Sequence, residues 1–192
     1  MSDSAVKDSV ANDSVANDSD LHVALLRGVN VNGVTVKSAP LAEVFRELGF
    51  GAVRTVLASG NVVFDAGESP EAGLKATIEK ALADAFGYDA WIVLTRQSHV
   101  RSIVDAFPYE EVEDRQPYVL FGSDAAVLAE LADYAATDAS TGVERVAPGD
   151  GVLYWDLPRG SSTDTAFAKR TARTRYRSTT TTRNLRTLRK LL

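Results

Sequence analysis

The order of strand-like and helix-like segments in the first half of the chain limits its fold more than any other feature. A continuous apolar run at residues 21–26, interrupted only by His22, is typical of a buried strand. The segments after it are a helix at 38–48, strands at 53–57 and 61–64, a helix at 69–86 and a strand at 91–94. This β-α-β-β-α-β order predicts a ferredoxin-like unit, with two helices on one face of an antiparallel sheet.

The second half of the chain predicts a smaller α+β subdomain. Its segments are helices at 98–107, 124–136, 161–172 and 184–192, a strand at 117–121 and a hairpin of 143–146 with 152–156. The predicted fold class is therefore α+β, with a ferredoxin-like subdomain at residues 21–96 and the second subdomain at residues 97–192. Residues 1–20 repeat a polar pentamer and lack aromatic side chains, which predicts a disordered tail.

Composition excludes several function classes. The 192 residues include no cysteine, which excludes disulfides, thiol nucleophiles and thiolate-bound metals. The two histidines, His22 and His99, do not form a pair with metal-ligand spacing, so we expect neither a metal site nor a cofactor. No apolar run approaches the roughly 20 residues that cross a bilayer. Because the N-terminus also lacks a signal-peptide pattern, we expect a cytoplasmic protein that does not enter a membrane.

Three polar segments at the ends of predicted strands are candidates for a binding site. The first contains Arg27, Gly28 and Asn30. Glycine and asparagine tolerate positive φ, so this loop can turn its backbone N–H groups toward an anion, and an arginine can grip phosphate or carboxylate with two parallel hydrogen bonds. The loop matches neither a Walker motif nor G-x-G-x-x-G, and a tight turn is the alternative interpretation.

The second and third segments supply further amide, hydroxyl and guanidinium donors. The second is typical of a hairpin connection when it is taken alone. The third ends a run of four threonines and fits either an anion-binding strip or a strand followed by a helix cap. The candidate residues are Ser59, Gly60 and Asn61 in the second segment and Thr182, Arg183 and Asn184 in the third.

Charge is distributed unevenly along the chain. Residues 169–192 carry nine basic and no acidic side chains, and since the whole chain has a formal charge of −5, the other 168 residues carry −14. A basic segment of this kind can contact nucleic-acid phosphates, or it can lie against the acidic body of the protein. The candidate nucleic-acid contacts are Lys169, Arg170, Arg173, Arg175 and Arg177.

Three stretches together resemble one known family. Residues 25–31 are similar to its signature L-L-R-G-I-N-V, residues 53–64 to its segment V-x-T-x-x-x-S-G-N-V-V-F, and residues 181–184 to its motif T-T-R-N. The family is the bacterial group known as domain of unknown function 1697, and the resemblance extends over residues 21–192. It implies a two-part α+β fold with a ferredoxin-like portion. It also implies that the three polar segments are recurrent positions of the family, and it carries no established activity.

Three functional hypotheses follow from these patterns. The leading one is a binding protein for an unidentified small anionic ligand, bearing phosphate or carboxylate, at a site where the three polar segments meet. The first alternative is nucleic-acid binding by the basic C-terminal segment. The second alternative is an enzyme of unknown reaction that acts on a small anionic substrate, with arginines stabilising charge in the transition state. The sequence does not predict an oligomeric state.

Overall fold

The computed structural model of the protein describes residues 21–27, 30–31, 34–58, 60–137 and 143–192. Its strands are β1 (His22–Arg27), β2 (Asn30–Val31), β3 (Val34–Thr35), β4 (Gly51–Thr55), β5 (Asn61–Asp65), β6 (Trp91–Arg96), β7 (Arg115–Gly122), β8 (Arg145–Gly149), β9 (Val152–Pro158) and β10 (Thr180–Asn184). Its helices are α1 (Ser38–Glu47), α2 (Leu74–Phe86), α3 (Gln97–Asp105), α4 (Ala125–Thr137), α5 (Ala166–Thr171) and α6 (Leu185–Arg189), with a single 3-10 turn at Thr174–Tyr176.

The first four-stranded sheet is antiparallel and has the strand order β4-β5-β1-β6. Neighbouring residues of a strand point to opposite faces of the sheet, so the apolar run of β1 supplies both faces. Ala24 and Leu26 pack under α1 and α2, together with Phe45 and Ile78 of those helices. This is the face that the amphipathic spacing of the two helices predicts.

The second four-stranded sheet is also antiparallel and has the order β10-β7-β9-β8. Val23 and Leu25 of β1, on the other face of the first sheet, share a core with Phe121 of β7, Tyr154 of β9, and helices α3 and α6. A third core, around Trp155, lies between the second sheet and α4 and α5. The chain is therefore layered, with one core shared by its two sheets.

The α+β class predicted from the sequence is confirmed, with two antiparallel four-stranded sheets and six helices in the described residues. The predicted tail at residues 1–20 lies outside the described residues. The boundary between residues 96 and 97 stays a prediction. In the described part of the chain, no helix combines the length and apolar character needed to cross a membrane.

Two predicted helices begin later than expected. Helix α2 begins at Leu74 because Gly73 has φ of +89°, a left-handed conformation that a right-handed helix cannot include. Helix α5 begins at Ala166, since the preceding residues form two turns and Thr165 then accepts a hydrogen bond from the backbone N–H of Ala168. Serine and proline before these helices therefore mark turns and not helix starts.

Candidate functional site

A cavity of about 460 Å³ lies where the end of β1 approaches β10 and α5. Its wall combines two guanidinium groups, hydroxyl groups and apolar surface. The residues that line it are Leu26, Arg27, Tyr118, Trp155, Ser162, Ala168, Thr171, Ala172, Thr181, Thr182 and Arg183. Its volume lies in the range typical of small-molecule sites, which is about 300–1,000 Å³.

Arg183 on β10 joins the two sheets. Its side chain is almost fully buried, with 8% of the residue exposed. Toward the first sheet it donates to the Asn61 Oδ1 at 2.5 Å, to the Leu26 carbonyl at 2.6 Å and to the Gly60 carbonyl at 3.3 Å. Within β10 it donates to the Thr181 Oγ1 at 2.7 Å and to the Thr182 carbonyl at 2.9 Å. A guanidinium has five N–H groups, so all of them are engaged by neutral oxygen atoms.

Asn61 orients Arg183 from behind the cavity wall. It is fully buried, and its Nδ2 donates to the Val56 carbonyl at 2.8 Å while its Oδ1 receives Arg183. The backbone N–H of Val56 donates to the Asn61 carbonyl at 2.9 Å and closes the connection between β4 and β5. This hairpin connection therefore has the structural role that the sequence predicts for it, and it also fixes an acceptor for a buried arginine.

Arg27, at the end of β1, is held by fewer contacts than Arg183. Its Nη1 donates to the carbonyl and to the Oγ1 of Thr180, both at 2.8 Å, and its Nη2 makes a long contact of 3.5 Å with the Thr171 carbonyl. Among the described residues, the Nε–H and one Nη2 N–H of Arg27 have no partner. Arg27 therefore keeps donor capacity at the cavity wall.

The two arginines have no acidic counterpart in the described part of the chain, since every ion pair there involves other basic residues. Burial, and secondarily the charge of Arg27, lowers the pKa of Arg183 to about 10. Burial, and secondarily the charge of Arg177, also lowers the pKa of Arg27. Arg183 still carries its proton at neutral pH, so the cavity wall is cationic.

The candidate nucleic-acid contacts separate into two groups. Glu130 of α4 accepts hydrogen bonds from Arg170 at 2.8 Å and from the Tyr176 hydroxyl at 2.7 Å, and it also pairs with Arg175. Lys169, Arg173 and Arg177 are exposed, and their side chains have no hydrogen-bond or ion-pair partner among the described residues. The basic segment is therefore partly paired with the acidic body and partly unpaired.

The structure brings some of the predicted site residues together and leaves others apart. Arg27, Thr182 and Arg183 line the cavity, and Gly60 and Asn61 contact Arg183 from behind it. Gly28, Ser59 and the side chain of Asn30 lie outside the described residues.

Asn184 does not join this cavity. Its Oδ1 accepts the backbone N–H of Arg186 at 2.9 Å and caps α6, which is the alternative interpretation of the third segment. Its side chain belongs to a separate cavity of about 370 Å³ that also contains Arg115, Arg159 and Glu111. Asn184 is separated from Arg183 by its role as the N-cap of α6, although Thr181, Thr182 and Arg183 directly before it all line the first cavity.

Sequence reasoning missed several residues of the cavity. Thr171 contributes its carbonyl, and Tyr118 and Trp155 contribute aromatic surface. Trp155 lies within an ordinary strand pattern, which carries no signal for a ligand site. Thr180 belongs to the threonine run of the third predicted segment, and it positions Arg27. Among the residues that the structure describes, no three His, Asp or Glu side chains form a group that could hold a metal ion.

The model of one protein family, described as "Protein of unknown function (DUF1697)", matches residues 20–154, more than half of the chain. The chain belongs to this family. A solved structure of a conserved bacterial protein from Streptococcus pneumoniae is similar to this DUF1697 chain, with a TM-score of 0.73 and 22% sequence identity. The match covers 90% of this chain and 96% of that one, and it establishes the fold alone. No curated protein matches the sequence.

In this DUF1697 chain, the three sequence motifs meet at Arg183. The first motif supplies the Leu26 carbonyl, the second supplies Gly60 and Asn61, and the third supplies Arg183 itself. The first two motifs lie within the matched residues, and T-T-R-N at residues 181–184 lies beyond them. One buried guanidinium therefore connects segments that are distant in the sequence.

Proposed function

We propose that this chain binds a small anionic ligand, bearing phosphate or carboxylate, in the cavity between β1, β10 and α5. The observation that carries the proposal is the pair Arg27 and Arg183 at one cavity, both of which donate only to neutral oxygen atoms among the residues that the structure describes. Burying a charge without a counterion is costly, and a bound anion supplies the missing counterion.

The two arginines have different tasks in this proposal. Arg27 is the direct donor, because its Nε–H and one Nη2 N–H are unused by the described residues. Arg183 attracts the anion by its charge and holds the strands of the cavity wall in place. It does not donate to the ligand, because its five N–H groups are already engaged. The hydroxyls of Ser162 and Thr182 add neutral donors to the same wall.

The nucleic-acid alternative has weaker support. Arg170 and Arg175, two of its five candidate contacts, are paired with Glu130, so a phosphate would have to compete with that carboxylate for them. The remaining three are exposed and have no ion-pair partner among the described residues, so salt-dependent binding of an oligonucleotide is the test of this alternative.

The test is an isothermal titration with inorganic phosphate and, separately, with acetate. We expect wild-type protein to bind at least one of them and Arg27→Gln to bind it about tenfold more weakly, since a hydrogen bond to a charged group contributes about 1.5–3 kcal/mol. Arg101→Gln is the matched control, because Arg101 is exposed on α3 and does not line the cavity. Equal affinity of Arg27→Gln and wild type would contradict the proposal.

A further inference from the structure

The cavity between β1, β10 and α5 has an apolar side in addition to its cationic side. Tyr118 and Trp155 contribute aromatic rings to its wall, and Ala168 and Ala172 of the α5 region contribute small apolar side chains. A water molecule takes about 30 Å³ in the liquid, and acetate and orthophosphate are only a few times larger. Either ion therefore leaves most of a cavity of about 460 Å³ unfilled, and the apolar side has room for a further part of the ligand.

The aromatic part of the wall is fixed by its neighbours. Tyr118 of β7 lies directly opposite Trp155 of β9, with ring centroids 5.5 Å apart. Trp155 is buried, its Nε1 donates to the buried Glu144 Oε2 at 2.8 Å, and Phe167 packs edge-on against it at 5.4 Å. Tyr118 is only half-buried. A ring with this support is available to a ligand at little cost in conformational entropy.

On α5 the apolar surface lies beside the contact with Arg27. The Nη2 of Arg27 approaches the Thr171 carbonyl at 3.5 Å, near the end of that helix. Ala168 and Ala172 lie one turn apart, at helical spacing i and i+4, and both line the cavity. A ligand that binds Arg27 with its anionic group therefore meets the alanine surface with its next atoms.

On the second sheet, the aromatic surface lies beside the threonines of β10. Thr182 lies opposite Leu120 in the pair of β10 with β7, so Tyr118, two residues from Leu120, is its diagonal neighbour. Diagonal neighbours of this kind are about 7–8 Å apart, which an aromatic side chain spans. Thr182 and Tyr118 both line the cavity, as does Arg183 after Thr182. The cationic and the aromatic surfaces are therefore continuous.

We propose that the ligand of this cavity is an aromatic anion, an aryl ring joined to a single phosphate or carboxylate group. This inference rests on the proposed function, because it places the anionic group at Arg27. The ring then lies against Tyr118 and the alanine surface of α5. Two aromatic rings in offset or edge-to-face contact gain more than the burial of apolar area alone, so the site favours an aryl group over an aliphatic group of the same size.

The decisive experiment compares ligands that carry one anionic group and differ in the group attached to it. The full chain is titrated calorimetrically with methyl, cyclohexyl and phenyl phosphate, and with acetate, cyclohexanecarboxylate and benzoate, at one pH and ionic strength. In the series that binds, we expect the aromatic member to bind about tenfold more tightly than the smallest member and about threefold more tightly than the cyclohexyl member.

Two outcomes of these titrations would overturn the inference and leave the proposed function standing. The first is equal affinity of phenyl and methyl phosphate, or of benzoate and acetate in the carboxylate series, because the apolar side would then contribute nothing. The second is a cyclohexyl member that binds as tightly as the aromatic member, because the site would then not select a ring with a π face.

Variants of Tyr118 test the ring contact directly. Tyr118→Leu keeps an apolar side chain without the ring and should lose the preference for the aromatic over the cyclohexyl member. Tyr118→Phe is the matched control, because it keeps the ring and should keep the preference. Affinity for the smallest member should stay within about twofold of wild type in both variants, which also shows that they are folded. A full aromatic preference in Tyr118→Leu would contradict the inference.

The failure of the proposed function is recognised separately. If the wild-type protein binds no member of either series, the inference and the proposed function both fail. Phenol is the neutral counterpart of phenyl phosphate, and we expect it to bind at least tenfold more weakly, since it lacks the charge that Arg27 binds. If phenol and phenyl phosphate bind equally, the cavity binds the ring alone, and both proposals are wrong.

Discussion

Two arginine clusters in this molecule differ in the groups that hold their positive charge. In the second sheet, Asp156 is 1% exposed and accepts hydrogen bonds from Arg115 and Arg145. At the cavity, Arg27 and Arg183 meet only carbonyl, hydroxyl and amide oxygens. The first cluster contains its own counterion, and the second has none within the described ranges of the chain.

The presence or absence of a carboxylate partner distinguishes an arginine with a structural role from one that is available to a ligand. A carboxylate beside an arginine neutralises the charge and fixes both groups, which leaves little to attract an external anion. An arginine held by neutral dipoles is positioned just as firmly but keeps its full charge. The protein therefore places a fixed, uncompensated charge at the cavity, and each prediction below changes one side of this comparison.

The largest effect on stability is expected for Asp156→Ala. The change removes the buried acceptor of charged hydrogen bonds from Arg115 and Arg145, which should lower the free energy of unfolding by about 3 kcal/mol. Phosphate affinity should not change, because Asp156 does not line the cavity. Urea unfolding and titration measure the two quantities. Asp133→Ala removes an exposed carboxylate from α4 and serves as the control. A large loss of affinity in Asp156→Ala would show that the clusters are coupled.

The next largest effect is expected for Arg183→Met. The buried Asn61 Oδ1 and the Leu26 carbonyl lose a donor, which should cost about 2 kcal/mol of stability. The lost charge should also weaken anion binding. Arg27→Gln, by contrast, should weaken binding with little loss of stability, because Arg27 is only half-buried. Thermal melts and phosphate titrations of both variants measure the two effects. A lower melting temperature for Arg27→Gln than for Arg183→Met would contradict these separate roles.

The sequence predicts only part of the surroundings of the cavity, because it leaves β10 between two interpretations and begins α5 at residue 161 instead of Ala166. Apolar periodicity predicts β1 and β5, because buried strands and amphipathic helices leave local patterns. Arg27 and Arg183 lie 156 residues apart, and only the packing of one sheet on the other brings them to one cavity. No local sequence pattern predicts that these two side chains lie close together in space. The family resemblance indicates which residues recur, and it does not indicate how they are arranged.

The helix-cap interpretation of the third segment is the one that separates Asn184 from Arg183. A side chain that caps α6 accepts the backbone N–H of Arg186 and is not available to a ligand beside Arg183. The role of Thr180, by contrast, cannot be predicted from the sequence. It is one of four consecutive threonines, and only the approach of Arg27 distinguishes its carbonyl and hydroxyl from those of its neighbours.

A smaller effect is expected when the missing counterion is added to the wild-type protein. At a phosphate concentration ten times the dissociation constant, a ligand that binds only the folded state stabilises it by about 1.4 kcal/mol. We expect this gain in urea unfolding of wild type, and a gain of only about 0.4 kcal/mol for Arg27→Gln at the same phosphate concentration, because its tenfold weaker affinity leaves half of the sites empty. Sodium chloride at equal ionic strength is the control. An equal gain in both proteins would assign the effect to general salt stabilisation and not to the cavity.

The smallest effect concerns Glu130, which extends the comparison to a third arginine cluster. The hydrogen bond from Tyr176, with the charges of Arg175 and Arg170, holds the pKa of Glu130 below its ordinary value of 4.5. A carboxylate with a lowered pKa in the folded state stabilises the protein above its unfolded pKa, and this contribution disappears as the pH falls below it. Glu130→Gln should therefore be slightly less stable than wild type at pH 7, with a difference that shrinks below about pH 4.5. Thermal melts from pH 3 to 7 measure the difference. If the difference in melting temperature stays constant over this range, Glu130 acts through packing, and its charge does not hold Arg170 and Arg175.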